Sequence, residues 1–412
     1  MLKKITHLTN HIPEYGVQYI KNLSWLMLLR ILQRVLGFVF IYFLVRALTK
    51  EDFGNYQFVI TVVLLLSGFT LPGLANALVQ SVARGYYGTI IPAIKIAFKA
   101  SLIGSFILAV ISLYYWNIGD DKLSVAFMFT AILFPFSYSM VQWKSYKTGM
   151  ENFSSLAKIE SLFFIVTYSL MIMSVIIIPG NLLLPLFILF LLFAATNIFL
   201  SYRLSRVVAG CDDIEENSIE YGIKTNYYFS INLISNNFDK FLIFVLLSPA
   251  LLALYVAAER ISEIINELIQ DVAMVLAPKF AKTDNYSKKL DYILNILGVI
   301  LAILIIAFSF TALPFLFILL FGDQYSDAIV YAQALLCSIA IGNVAILKFR
   351  FISSKLDSDS YKTITLWMSS VKIISSLVLI PIMGVVGAIV SAFIYRISMS
   401  IVTHVMIKNK YL

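Results

Sequence analysis

The chain has 412 residues, 60% of them hydrophobic and only 13% charged, with 31 Lys and Arg against 23 Asp and Glu. A mean hydropathy of +0.89 is more than a soluble fold can hide, so the composition indicates a polytopic membrane protein and excludes a soluble enzyme or binding domain. In this setting the net charge of +8 reads as a signal of topology, and no nucleic-acid partner is expected. Cys211, Cys337, His7, His11 and His404 are scattered, so neither a disulfide framework nor a metal site is expected.

Residues 1–22 are polar, and the first apolar run carries Arg30 and Arg34 without a small-residue cleavage site, so no cleavable signal peptide is expected. Apolar segments of spanning length then follow near 23–45, 56–80, 91–115, 123–143, 156–178 and 182–202. A second set lies near 225–247, 250–277, 292–320, 328–347, 363–380 and 385–407. Each is close to the roughly 20 residues that a bilayer requires, which makes twelve spans. The long ninth segment has to tilt or bend, with Pro314 as the candidate site.

With the N-terminus placed in the cytoplasm, 22 of the 31 basic residues fall on the cytoplasmic side and only Arg46, Lys50 and Lys122 outside. This asymmetry supports twelve spans with both termini inside, in a bacterial cytoplasmic membrane. The expected division is a cytoplasmic segment 1–22, a first lobe 23–202, a linker 203–224, a second lobe 225–407 and a tail 408–412. The linker contains the acidic run from Cys211 to Glu216, expected to be solvated. A shift of 199 residues aligns Leu48–Tyr56 with Leu247–Tyr255, so the halves read as faint parallel repeats, a geometry that leaves a central cleft between two six-helix lobes.

Spans seven and eight are the least ordinary. Span seven carries Asp239-Lys240, and span eight carries Glu259, Arg260, Glu263, Glu267 and Asp271. At about 100° per residue, these five share one half of the wheel with Tyr255, Ser262, Asn266 and Gln270, while Ala257, Ala258 and Ile261 lie in the other. Pro249 and Pro278-Lys279 bracket a spanning length, which favours a crossing helix beside a hydrated path over one lying on the surface.

Four blocks now resemble the polysaccharide-unit (O-antigen, Wzx-type) flippases of the multidrug/oligosaccharidyl-lipid/polysaccharide (MOP) exporter superfamily. They are FLVRALTKEDFGNYQFVITVVLLLSGFTLPGLANALVQSVAR, SNNFDKFLIFVLLSPALLALYVAAERISEIINELIQDVAMVLAPKFAK, LPFLFILLFGDQYSDA and LVLIPIMGVVGAIVSAFIYR. Their order and spacing follow the family across nearly the whole chain. The resemblance implies two six-helix bundles, export of undecaprenyl-diphosphate-linked glycans by alternating access, and polysaccharide polymerase machinery as a protein partner beside membrane lipids.

Six basic residues lie within spans: Arg30, Arg34, Lys240, Arg260, Lys372 and Arg396. A charge at mid-span costs roughly 2.5–3.5 kcal/mol, so a role is expected. Arg30, Arg34, Arg260, Lys372 and Arg396 are the candidate ligands of a substrate diphosphate, because guanidinium forks match phosphate oxygens. Arg30 and Arg34 share one face, with Arg34 roughly 16 Å in from Leu23. The competing reading is internal pairing: Arg260 with Glu263 or Glu267, Lys240 with Asp239 or a neighbouring helix, Lys372 and Arg396 with acids of span eight. Asp239, Glu263 and Glu267 are the candidate groups for coupling to a Na⁺ or H⁺ gradient, with salt bridging as the alternative. The 32 Phe and 23 Tyr read as lipid-facing and interfacial filling, and only cavity-facing rings such as Tyr255 could stack on sugars.

Three functions compete. The first is the flippase, which needs no covalent chemistry. The second is a membrane glycan polymerase or ligase, which needs catalytic groups on a sizeable outer loop. Only Glu51, Asp52, Asp120, Asp121, Asp323 and Asp327 on short turns are available, so no enzyme is expected. The third is another exporter of the same superfamily, for a peptidoglycan precursor or a drug.

Overall fold

A computed structural model describes residues 14–281, 286–355 and 358–411. Lys3, Lys4, His7, His11 and Lys282 lie outside the described residues, as do the side chains of Lys21 and Lys279. The described chain is helical, with no strand: α1 (Glu14–Ala47), α2 (Lys50–Leu66), α3 (Gly73–Ala83), α4 (Ile90–Asn117), α5 (Asp121–Tyr138), α6 (Trp143–Gly149), α7 (Phe153–Ile177) and α8 (Leu183–Val207). Then come α9 (Glu216–Leu246), α10 (Pro249–Ala281), α11 (Lys288–Thr311), α12 (Leu313–Phe321), α13 (Ala328–Ser354), α14 (Ser358–Met383) and α15 (Val385–Lys410). Helices stand at all twelve expected span positions, and three of those positions are broken helices: α2–α3, α5–α6 and α11–α12.

Ten of the spans are long and apolar enough to cross a membrane. The other two, α9 and α10, are long enough but too polar by composition. They are the charged spans that the sequence singles out. The protein is thus an all-α, multi-pass membrane protein.

The helix starts follow from local chemistry. Thr49 caps α2, accepting from the Asp52 N–H at 3.1 Å, with Glu51 and Asp52 in the first turn, where carboxylates oppose the helix dipole. Its repeat counterpart Ser248 accepts from the Leu251 N–H at 3.2 Å, and Pro249 takes the first helical position, where its missing N–H costs nothing. Asp120 caps α5 in the same way, at 3.0 Å from the Leu123 N–H. Five of the six outer carboxylates, Glu51, Asp52, Asp120, Asp121 and Asp327, thus sit at helix starts.

The breaks are also chemically explained. Pro314 stands in the first turn of α12, so the ninth span bends where expected. In span four, Pro135 lies inside α5 and the chain passes through a tighter turn at Met140–Gln142. Asn197 of α8 secures that break, its Nδ2 donating to the Ser137 carbonyl at 2.8 Å and its Oδ1 accepting from Trp143 Nε1 at 2.9 Å. Ser201 donates to the Met140 carbonyl at 2.7 Å. In a membrane interior such loosened carbonyls need a protein partner.

Two compact units divide the chain. One holds residues 1–47 and 69–227, and the other 48–68 and 228–412. The division differs from the expected lobes, because α2 packs along α10 and belongs to the second unit. Gly54 is why these two helices meet closely: a Cβ there would overlap the carbonyl of Pro249. Phe58 of α2 also meets α9, its ring stacked on Phe244 with centroids 3.6 Å apart. The expected linker 203–224 is also largely helical. Its second part is the start of α9, which packs on α3 within the first unit: Ser218 Oγ donates to the Ala77 carbonyl at 3.0 Å, and the Gly73 N–H donates to Asn226 at 3.2 Å. The acidic run is anchored too, with Arg84 and Glu215 paired at 2.8 Å and the Glu215 N–H bonded to Thr89 at 2.9 Å.

Within the first unit, α1 packs on α7, α4 on α5, and α5 on α8. Leu78, Val82, Ile90, Ala93, Trp143, Leu156, Leu204 and Val208 form a core at one end of it. Within the second unit, α13 is the central element, packed by α10, α11 and α15, with α14 against α15. The alanine side of α10 makes this possible: Ala253, Ala257 and Ala258 are fully buried, leaving the opposite face to the charged residues.

Candidate functional site: a buried ion-pair network

Spans seven, eight and eleven (α9, α10 and α14) bring seven ionisable groups together in the second unit. Asp239 of α9 is almost wholly buried, at 1% exposure. Its Oδ1 accepts from the Lys240 backbone N–H at 2.9 Å. Its Oδ2 accepts from the Tyr255 hydroxyl at 2.8 Å and lies 3.2 Å from Lys372 Nζ of α14. An ionised carboxylate removed from water needs this number of donors to persist.

The neighbouring Lys240 turns its ammonium away from Asp239. It reaches Glu259 Oε2 at 2.9 Å and Glu263 Oε1 at 3.8 Å on α10. Arg260 then holds Glu263 at 3.1 Å, three residues along the same helix. Side-chain exposure rises along this path, from 1% and 13% at Asp239 and Lys372, through 13% and 16% at Lys240 and Glu259, to 46% and 38% at Arg260 and Glu263. One end is sealed and the other open.

The structure decides several pairings that the sequence left open. Lys372 pairs with Asp239 of span seven, not with an acid of span eight. Lys240 pairs across helices rather than with its neighbour Asp239. Arg260 takes Glu263. Tyr255 is 1% exposed and spends its hydroxyl on Asp239, so it is not a free platform for sugar stacking. Glu267 lies one turn beyond Glu263 with an exposed side chain. Glu259, absent from the expected site residues, is a central member. Its place on the polar half of the helix marked it, but only the helix packing shows that Lys240 meets it.

Arg396 of α15 is arranged differently. Its aliphatic stem packs on Gly342 of α13, where a Cβ would lie 2.6 Å from Arg396 Cδ, and its guanidinium sits over the Tyr395 ring at 5.5 Å. Among the described residues it forms no ion pair with a carboxylate. Arg30 and Arg34 lie on α1 in the first unit and are both half-buried. A second buried pair of the second unit joins Lys348 to Asp291 at 2.7 Å, with Asp291 also accepting from Tyr286 and Asn295. Lys348 is thus buried against the first turn of α11, the turn that begins with Lys288 and Lys289. Among the described residues no cluster of metal-ligating side chains occurs.

Comparison with solved structures places the fold. The chain is similar to a structure described as lipid II flippase MurJ in an inward closed conformation, with 12% identity, a TM-score of 0.68, and coverage of 93% of this chain and 87% of that one. It is also similar to an outward-facing multidrug resistance MATE family transporter of the MOP superfamily, with 13% identity, a TM-score of 0.62 and 95% of each chain covered. A MOP superfamily transporter from Pyrococcus furiosus shows 13% identity, a TM-score of 0.56, and coverage of 95% of this chain and 94% of that one. At such identities the likeness establishes the fold. The sequence matches none of the curated proteins. A family model described as polysaccharide biosynthesis protein matches residues 19–284, well over half of the chain, and the chain therefore belongs to that family.

Proposed function

We propose that the protein is a flippase that moves an undecaprenyl-diphosphate-linked oligosaccharide repeat unit from the inner to the outer leaflet of the bacterial cytoplasmic membrane. It works by alternating access, with both termini in the cytoplasm. The observation that carries this reading is the ion-pair network on three spanning helices, in a chain that belongs to a polysaccharide biosynthesis family and has a transporter fold. Charged groups inside a bilayer mark the path of a polar cargo. The prenyl tail of such a cargo stays in lipid while its diphosphate and sugars cross. Arg30, Arg34 and Arg396 are the residues proposed to contact the diphosphate, and Arg260 and Lys372 contribute once their acids release them.

The test is complementation in a bacterium lacking its own repeat-unit flippase, with surface polysaccharide and the lipid-linked precursor both measured. Restored surface polysaccharide with loss of the accumulated precursor supports the reading. A well-expressed protein that leaves the precursor in place assigns another cargo, such as a peptidoglycan precursor or a drug.

A further inference from the structure

Among the described residues, the ion pairs of this network join three carboxylates, Asp239, Glu259 and Glu263, to three cations, Lys240, Arg260 and Lys372. Fully ionised, it is neutral. A neutral cluster offers an entering anion no net attraction. The anion must separate a cation from its acid or bring a compensating charge. A flippase for a diphosphate therefore meets a problem here that basic residues alone do not solve.

The geometry singles out one pair as the place where the charge can change. Protonating Asp239 would strand the ammonium of Lys372 in the sealed end and waste the donors from Tyr255 and the Lys240 backbone. Glu263 is half-exposed and already shares two cations, Arg260 at 3.1 Å on its own helix and Lys240 at 3.8 Å. Among the described residues, Glu259 has Lys240 as its ion-pair partner, at 2.9 Å, and Lys240 has the more distant Glu263, at 3.8 Å, as a second. A proton on Glu259 removes the charge that holds Lys240 and leaves the other two pairs intact.

We propose that Glu259 takes up a proton when an anionic diphosphate headgroup binds, and that Lys240 is thereby released to hold the diphosphate. The proposal rests on the flippase reading and adds the residue that balances the charge. The proton comes from water at the open end of the network and adds to a carboxylate oxygen of Glu259. Lys240 keeps all its protons and redirects an N–H from Glu259 to a phosphate oxygen. The site gains one positive charge, which offsets one of the negative charges that the diphosphate brings. The groups facing Glu259 are Asp239 and Lys240 from α9, Lys372 from α14, and Tyr255, Arg260 and Glu263 from α10 itself. Among the described residues, α2 and α13, which also pack on α10, add no member to the ion pairs.

The experiment is calorimetric titration of the purified full-length protein with geranyl diphosphate, in buffers of different ionisation enthalpy, between pH 6 and 9. Wild type is expected to take up about one proton per ligand, and its affinity to fall about tenfold per pH unit once Glu259 is ionised in the free protein. Glu259→Gln is expected to bind without proton uptake and without that pH dependence, and Lys240→Met to bind more weakly. Glu259→Asp, which keeps a titratable group, is expected to retain uptake with a displaced pH profile, and decides the matter if the glutamine variant does not fold. Binding by wild type without proton uptake, uptake that persists in Glu259→Gln, or an unchanged profile in Glu259→Asp overturns the proposal and leaves the flippase reading standing. Failure of folded wild type to bind geranyl diphosphate removes the diphosphate reading itself.

Discussion

Lys372 of α14 and Asp239 of α9, 133 positions apart in the sequence, meet at 3.2 Å inside the second unit, and the carboxylate is 1% exposed. The pair ties span eleven to span seven at a depth where neither charge could stand alone. Breaking such a pair from one side costs about 3–5 kcal/mol, whereas removing both charges together is often nearly neutral. Asp239→Asn or Lys372→Met alone should therefore lower membrane abundance and thermal stability, and the double substitution should recover both. Melting of the detergent-solubilised protein provides the readout. If the stable double mutant also exports glycan, Asp239 has no part in ion coupling.

The close approach of α2 and α10 depends on the absence of a side chain at Gly54. Gly54→Val should force the helices apart at the Pro249 carbonyl and cost about 1–3 kcal/mol, as overpacked sites do. A second glycine gives the control. Gly85 has open space around it but a φ of +96°, so Gly85→Asn should cost backbone strain without a clash, and less than Gly54→Val. Equal loss of folded protein in both variants would contradict this packing.

Arg30 and Arg34 share a face of α1, and the proposed diphosphate contact gives them a particular substitution pattern. Replacement of both by Gln should abolish surface polysaccharide while the protein remains in the membrane. Lysine at either position should restore export only partly, because a point charge lacks the bidentate fork. Normal export by a well-expressed double glutamine mutant would make these arginines structural.

The Arg84–Glu215 pair predicts an acid response outside the spans. The hydrogen bond from Arg84 holds the Glu215 carboxyl below the ordinary carboxylate range. A lowered pKa contributes stability that is full above the ordinary carboxylate pKa and lost as pH falls through the lowered folded-state value. Because Arg84 is half exposed, solvent screening keeps the effect small. Protection of 208–216 from hydrogen exchange, taken relative to the intrinsic rate at each pH, should fall at acid pH. In Arg84→Ala that protection should be lower already at neutral pH and should lose this acid dependence.

Topology follows from the distribution of basic residues. Single cysteines at Lys122 and Asp323, in a background without Cys211 and Cys337, should react with an impermeant thiol reagent from outside. Cysteines at Lys288 and Lys355 should not. Reversed labelling at any one of these positions would remove the twelve-span topology.

The sequence by itself determined the membrane class, the twelve span positions, the bend near Pro314 and the polar half of span eight. Each of these rests on runs and periods that act within one helix: a spanning segment must be apolar enough for lipid, and 3.6 residues per turn sorts its faces. The helix starts at Thr49, Asp120 and Ser248 belong with them, since a cap is made within four residues. Only the tertiary structure decided which charges meet. Lys240 has Asp239 as its neighbour in sequence yet reaches Glu259, because an adjacent residue on a helix points about 100° away and α10 packs where the ammonium arrives. Lys372 finds Asp239 for the same reason, and Lys348 becomes buried because Asp291 of α11 packs beside it. The place of span two in the second unit was likewise hidden. It depends on Gly54 meeting the Pro249 carbonyl, a contact between helices nearly 200 residues apart that no local pattern records. Hydrophobicity can be read along a chain, but the partner of a buried charge is set by which helices lie side by side.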